Sequence, residues 1–245
     1  MIETMADLGG QPLEPAESFT FACEPALACF GSCCRDKRLP VTPYDALRLG
    51  RGLGISAAEL LAEHLELEMD PRSGWPALRI KLADGGACPY LTSRGCRVYQ
   101  DRPTCCRIYP VVRAVKPGRD HRGVREVFLR QDTPHCLGWD QPRRLTPAQW
   151  VADQGLAPYH RHNDRLLSLV MHPKRRGKVE LSPRQTHAFI AALYNREVLA
   201  QMLSDPGFVQ RYRLEAGQVA RALADEEELI GLGIDWLADQ LFGPA

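Results

Sequence analysis

Nine cysteines are the residues in this 245-residue chain whose type and spacing can do chemistry. They lie at 23, 29, 33, 34, 88, 96, 105, 106 and 136, and residues 137–245 contain none. Thiolate sulfur is a soft donor, so this gathering selects zinc, copper(I) or iron and disfavours magnesium and calcium. A chain this long buries enough apolar surface to fold without covalent staples. A reducing compartment also keeps thiols unpaired, so a thiolate metal site is expected rather than a disulfide framework.

The first group, Cys23-x5-Cys29-x3-Cys33-Cys34, contains Pro25 and Gly31 and can fold back on itself as a ligand loop. The second is Cys88-x7-Cys96-x8-Cys105-Cys106, with Cys136 further on. Neither holds a C-x2-C pair, which argues against zinc ribbons and thioredoxin-like dithiols. Adjacent side chains in extended backbone point to opposite sides. The pairs Cys33-Cys34 and Cys105-Cys106 therefore suggest ligands bridging several ions, or one ligand and one auxiliary thiol in each pair. A single zinc takes four thiolates and leaves the others unexplained, so the count points to an iron–sulfur cluster or another polynuclear centre, with zinc as the alternative. Arg102 and Arg107 are candidate cofactor-binding residues, since cations beside thiolates offset their charge. His135, next to Cys136, is a further candidate ligand.

The strings Cys88-Pro89-Tyr90-Leu91, Gly95-Cys96-Arg97-Val98-Tyr99 and Asp101-Arg102-Pro103-Thr104-Cys105-Cys106-Arg107-Ile108-Tyr109-Pro110 resemble the YkgJ-type cysteine-cluster family. That family is described as zinc- or iron-chelating and often labelled an iron–sulfur oxidoreductase. Cys33-Cys34 followed by Val41 to Leu49, and His135-Cys136-Leu137-Gly138, are similar to the same family, so the resemblance covers roughly residues 20–140. It implies Cys33, Cys34, Cys88, Cys96, Cys106 and Cys136 as metal ligands. The family's leading run is usually C-x2-C-x2-CC. Here the gaps are five and three, and Cys23 and Cys29 carry over as ligands through that altered spacing. Cys105 sits where the family asks only for the residue before a ligand, which makes it the extra thiol. Flagellin lysine-N-methylases look like members of the same group, so a modifying enzyme is a further reading. Against it, the chain is short and shows no visible methyl-donor loop.

The elements that must position these sulfurs divide the chain. Residues 1–18, rich in Gly, Pro and Glu, read as a loose leader; residues 19–145 as the cysteine module; residues 146–245 as a helical region packed on it. Thr42, Pro43 and Asp45 start a helix that glycines 50, 52 and 54 end, and Ser56 with Glu59 caps a second helix through Leu65, making a helical hairpin. Leu78, Ile80 and Leu82 alternate with Arg79 and Lys81 as a strand. Val111–Val115, a turn at Pro117-Gly118, and Val124–Leu129 form a second strand pair. Thr146-Pro147, Ser182-Pro183 and Asp205-Pro206 each start a helix, and His160 and His162 are read as exposed at another helix start. The charge runs 174–178 and 225–228 read as solvated surface. The expected class is α+β and helix-rich: a metal-organised N-terminal module with a small antiparallel sheet, then an all-helical half.

Composition bounds the rest. With 31 basic against 30 acidic residues the net charge is +1, so no nucleic-acid partner is expected. No apolar run is long enough for a membrane span, and the acidic start leads into no apolar signal region, so a cytoplasmic protein is expected. No Walker, G-x-S-x-G or H-E-x-x-H motif is present. The expected role is redox chemistry or electron transfer with a protein redox partner. The alternative is a zinc-held module that binds a protein partner.

Overall fold

The structure, a computed structural model, describes residues 10–71, 73–118, 124–131, 133–175 and 180–243. Part of the 174–178 charge run and residues 1–9 of the expected leader lie outside the described residues. In the first part of the chain the strands are β1 (Gln11–Leu13), β2 (Phe19–Thr20), β3 (Pro40–Val41), β4 (Leu65–Met69) and β5 (Pro76–Ile80). They continue with β6 (Leu91–Thr92), β7 (Gly95–Cys96), β8 (Val111–Pro117), β9 (Val124–Arg130) and β10 (Arg144–Leu145). Helices α1 (Pro43–Leu53), α2 (Ala57–Glu59) and α3 (Thr104–Ile108) are interspersed among them. All pairings are antiparallel: β1–β9–β8, β3–β5–β4, β10–β2 and β6–β7.

Helix α1 starts as its sequence dictates. The Thr42 hydroxyl accepts from Asp45 N–H at 3.2 Å and the Asp45 carboxylate accepts from Thr42 N–H at 3.0 Å, with Pro43 at the first helical position. The helix does not stop at Gly50 or Gly52. It runs to Leu53 and ends at Gly54, whose φ of +69° suits a residue without a Cβ. Gly52 serves a close approach, since a Cβ there would lie 2.7 Å from that of Asp101.

The second helix is shorter than expected. After the Ser56 cap it makes one turn and a π-type turn, and at Leu65 the chain becomes β4, with Leu65 opposite Ile80 and Leu67 opposite Leu78. The alternation of Leu65, Leu67 and Met69 with Glu66 and Glu68 is a strand period, and pairing with β5 realises it. Part of the leader is also ordered: β1 lies along β9 and buries Leu13, so the edge hydrogen bonds of the hairpin recruit it.

Beyond β10 every described element is a helix: α4 (Pro147–Asp153), α5 (Ala157–Val170), α6 (Pro183–Leu193), α7 (Arg196–Leu203), α8 (Pro206–Arg211), α9 (Ala216–Ala224) and α10 (Glu226–Phe242). The three cap-then-proline starts head α4, α6 and α8 as expected, the first two with complete capping boxes. Helix α10 buries Leu229, Ile230, Leu232, Ile234, Trp236 and Leu237, and at Gly233 a Cβ would lie 2.3 Å from the Ala192 carbonyl oxygen. The acidic run that opens α10 is not merely solvated. Glu226 pairs with Arg51 at 2.7 Å and Arg196 at 2.6 Å, and Glu227 accepts from the Tyr44 hydroxyl at 3.3 Å. His160 and His162 sit inside α5, which begins earlier, at Ala157-Pro158. His162 stacks on Tyr44 at 4.3 Å and bonds Glu227 at 3.0 Å. Burial, then the nearby Arg113 guanidinium, pushes the His160 pKa down to about 4.

One buried apolar cluster runs from Leu13 and Phe19 through Tyr44, Tyr90, Ile108 and Trp150 to Ile234 and Leu237, so it draws on both the cysteine-bearing and the helical segments. The part nearest the cysteines is aromatic: Phe21 meets Trp139 at 5.4 Å and Trp150 at 5.5 Å, edge to face. Trp150 donates to the Ile108 carbonyl at 2.8 Å, which fixes the end of α3 against α4.

Candidate metal centre

The first cysteines hang from that aromatic cluster. Phe21 is buried and Leu39 is buried, but none of residues 22–38 between them is. The loop is built from successive three-residue turns, Leu27 N–H to Glu24, Phe30 to Leu27, Ser32 to Cys29 and Cys34 to Gly31. Gly31, at φ +79°, leads into the 3-10 turn Ser32–Cys34. Two hydrogen bonds across the Arg35–Ala87 bridge fasten the loop to the second group: Cys88 N–H donates to the Cys34 carbonyl at 2.8 Å, and Asp36 N–H to the Gly86 carbonyl at 2.8 Å.

The second group stands on better-packed ground. Cys88 is buried; Leu91 N–H donates to its carbonyl at 3.0 Å, and the nearby N–H groups of Tyr90 and Leu91 partly offset the rise in its pKa that burial causes. Cys96 ends the β6–β7 hairpin and accepts from Val98 N–H. Cys105 and Cys106 share α3, with sulfurs 3.9 Å apart. That helix is set by a residue expected only as the acid in the first turn of α1. Asp45, fully buried, accepts from Thr104 N–H at 2.8 Å and from the Thr104 hydroxyl at 2.6 Å, so one carboxylate ties the start of α1 to the start of α3. Only its place in the first turn of α1 was visible in the sequence. Cys136 closes the set: it lies close enough to Tyr109 to raise that hydroxyl's pKa, and the neighbouring Leu137 N–H donates to the Cys29 sulfur at 3.3 Å.

The sulfurs form one connected group. Their charges act on one another: Cys33, Cys136 and Cys29 on Cys23; Cys33, Cys106 and Cys88 on Cys34; Cys106 and Cys96 on Cys88; and Cys106 and Cys33 on Cys96. Among the described residues no three His, Cys, Asp or Glu side chains are placed to hold a metal ion as they stand. The donor chemistry fits a soft ion, while the sulfurs are gathered without closing on one point. All nine are free thiols.

Crowding governs their protons. Burial, then Cys33, Cys136 and Cys29, pushes the Cys23 thiol up to about 11. Burial also raises Cys88 and Cys96. Cys106 is raised first by its contact with Cys105 and then by burial, with Asp45 adding to the effect. Cys33 goes the other way, down to about 7, because Cys34 hydrogen-bonds to it; Cys34 is raised in turn. With no cation present, most of these sulfurs hold their protons.

Cys105 differs in kind: its thiol donates to the Pro40 carbonyl at 3.4 Å, a bond that needs the proton, whereas Cys29 and Cys96 accept from backbone N–H. Arg102 is buried over the Tyr99 ring at 3.7 Å, bonds the Tyr99 carbonyl and Gln154, and lies near Cys106 and Cys96. Arg107 is buried too, with its guanidinium committed to the carbonyls of Gln154 at 2.6 Å and Gln100 at 2.5 Å and to the face of Tyr159. It pins three segments around α3. His135 is exposed.

Residues 22–137 match the model of the family CxxCxxCC, described as "Putative zinc- or iron-chelating domain". Over that segment the chain is similar to the family. The matched segment starts one residue before Cys23 and ends one residue after Cys136, so it encloses all nine thiols and both fastenings between the two groups. No curated protein and no solved structure matches the chain. Among the described residues no helix is long and apolar enough to cross a membrane.

Proposed function

We propose that residues 22–137 hold a polynuclear thiolate centre, an iron–sulfur cluster, with a redox or electron-transfer role in the cytoplasm and a protein as redox partner. The ligands are drawn from Cys23, Cys29, Cys33, Cys34, Cys88, Cys96, Cys106 and Cys136. The observation that carries this reading is the connected group of sulfurs, twice as many as one tetrahedral ion takes. Bound, such a cluster would supply one-electron chemistry.

The chain's own groups do the rest. The N–H groups of Leu137, Tyr90, Leu91 and Val98 stabilise sulfur in its charged form, and hydrogen bonds of this kind raise a cluster's potential. Arg102 adds a fixed positive charge beside Cys96 and Cys106. The Tyr109 hydroxyl, whose pKa the neighbouring Cys136 helps to raise, donates to the Thr133 hydroxyl at 3.2 Å.

Zinc is the second reading, and residues 22–38 favour it. A loop that buries nothing needs a structural ion whether or not electrons move. Anaerobic purification of the full chain, with metal and sulfide analysis and an absorption spectrum, decides between them. Broad absorption near ~400 nm with iron and sulfide supports the cluster. A colourless protein with stoichiometric zinc excludes it.

A further inference from the structure

The sheet β3–β5–β4 has one finished edge and one open edge. Ile80 N–H donates to the Leu39 carbonyl at 3.0 Å, so Leu39 and Val41 turn their backbone groups to β5 and Pro40 turns outward. Pro40 has no N–H, and its carbonyl accepts from the Cys105 thiol at 3.4 Å. That edge offers a further strand nothing to bond.

At the other edge, Lys81 N–H donates to the His64 carbonyl at 2.9 Å and Asp70 N–H to the Trp75 carbonyl at 2.8 Å. Antiparallel pairing alternates along a strand, so Glu66 and Glu68 bond to β5 while Leu65, Leu67 and Met69 turn their backbone groups away from it. The Leu65 N–H is taken by the Leu60 carbonyl. The Leu65 carbonyl and the N–H and carbonyl groups of Leu67 and Met69 have no partner among the described residues.

The side chains of this edge are open as well. Leu67 and Met69 are 50% and 46% exposed, and with Leu181, Pro183, His187 and Ile190 they line a groove of about 720 Å³ beside α6. On the opposite face of β4 two acids meet two guanidinium groups: Arg79 pairs with Glu66 at 2.9 Å and with Glu68 at 3.1 Å, and Arg38 pairs with Glu68. An apolar edge strand is a template for another strand. A segment carrying one sign of charge would leave part of this balanced set unmatched, whereas a segment balanced in the same way would not. β4 with its two arginines is such a segment.

We propose that β4 is the interface between two copies of this chain, paired antiparallel about a two-fold axis at Leu67. In this register the Leu67 N–H of each copy donates to the Leu67 carbonyl of the other, and the Met69 N–H to the Leu65 carbonyl of the other. Leu67 then lies beside its own counterpart and Met69 beside Leu65, which carries the apolar face across the axis toward both grooves. Glu66 comes opposite Glu68, a pairing that would repel without Arg38 and Arg79. Because the β3 edge is finished, assembly stops at two copies.

The test is sedimentation velocity of the full chain over a roughly hundredfold concentration range reaching ~100 μM, with reductant present so that no disulfide joins the copies. A species of twice the 27.4 kDa chain mass is expected to grow with concentration. Leu67→Lys and Leu67→Glu each set like charges across the axis and each abolish that species, while an equal mixture of the two variants restores it, because this register places residue 67 against itself. Hydrogen exchange of the unaltered chain slows at the Leu67 and Met69 amides as concentration rises and stays constant at those of Glu66 and Glu68. A monomer across the whole range overturns the inference, as does a dimer that survives in both variants, a mixture that stays monomeric, or assembly beyond two copies. Protection of the Leu67 and Met69 amides that is independent of concentration overturns it too, since the edge is then covered from within the chain or by another molecule.

Discussion

Residues 22–38 and helix α10 are segments of similar length ordered by opposite means. Helix α10 buries six large apolar side chains on several sides, and each such burial stabilises by about 1.5–3 kcal/mol. Residues 22–38 bury none, yet carry four of the nine cysteines. Burial orders the helical segment, while the cysteine loop is held by its local turns and its pairing with residues 86–88. On the metal-binding reading proposed above, the loop is the segment whose stability depends most on a bound ion.

Metal removal breaks this comparison most forcefully. Thiolate metal binding contributes on the order of 10 kcal/mol to folding in small domains. Stripping the chain with a strong chelator should therefore lower its thermal midpoint steeply and open residues 22–38 to hydrogen exchange, while the amides of α10 stay protected. Equal loss of protection in both segments would refute the division. Leu237→Ala is the converse, creating a cavity in the buried cluster at a cost of about 3 kcal/mol. Denaturant unfolding should show that loss to the same extent with and without metal.

The same contrast explains what could be read in advance. The helical half was legible because its signals are local. Thr146-Pro147, Ser182-Pro183 and Asp205-Pro206 cap helices wherever they occur, and amphipathic spacing marks Phe189 and Leu193 as core. The turn of Leu65–Met69 into a strand was hidden because the Ser56 cap and Leu60, Leu61 and Leu65 also satisfy a helix, and only pairing with β5 decides. At the site, the soft-donor chemistry was readable from the cysteine count, and the family resemblance set apart Cys105, whose thiol donates to the Pro40 carbonyl. The span of Asp45 from Thr42 to Thr104 was not, because it joins residues 59 apart in the chain. Nor could the sequence show that Arg107 is committed to backbone carbonyls.

Asp45 allows a sharper cut between the regions. Asp45→Asn keeps one acceptor oxygen and loses charge-assisted bonds to buried donors, each worth about 1.5–3 kcal/mol. Because α3 carries Cys106, metal affinity should fall about tenfold, as when a ligand's supporting contact is removed. Competition with a chelator measures this, and unchanged affinity alongside lower stability would reduce Asp45 to a helix tie.

The protons of the thiols give a smaller, graded effect whose sign follows from the pKa directions. Cys23 rises from 9.0 to about 11 on folding, and Cys34, Cys88, Cys96 and Cys106 rise as well. Groups raised on folding contribute stability that is complete below the unfolded value and is lost as pH rises through the folded one. Cys33, lowered to about 7, acts in the opposite sense but is one against five. The metal-free chain should therefore lose thermal stability between about pH 9 and 11. The loaded chain, its thiolates already formed, should not, and should instead lose metal as pH falls because protons compete for sulfur. Parallel melting curves across that range would contradict the assignment of these thiols to the ion.

The smallest change separates two neighbouring sulfurs. Cys105→Ser keeps a hydroxyl able to donate to the Pro40 carbonyl, so the substitution should cost no more than about 1 kcal/mol and leave the metal content unchanged. Cys106→Ser, one residue on and 3.9 Å away sulfur to sulfur, removes a proposed ligand and should deplete the metal and lower solubility. Metal-to-protein ratios of the two variants, prepared side by side under anaerobic conditions, provide the comparison. Retention of metal in both would mean that the centre does not use Cys106. Loss in both would mean that the proton of Cys105 is displaced on binding and that its bond to Pro40 belongs to the metal-free protein alone.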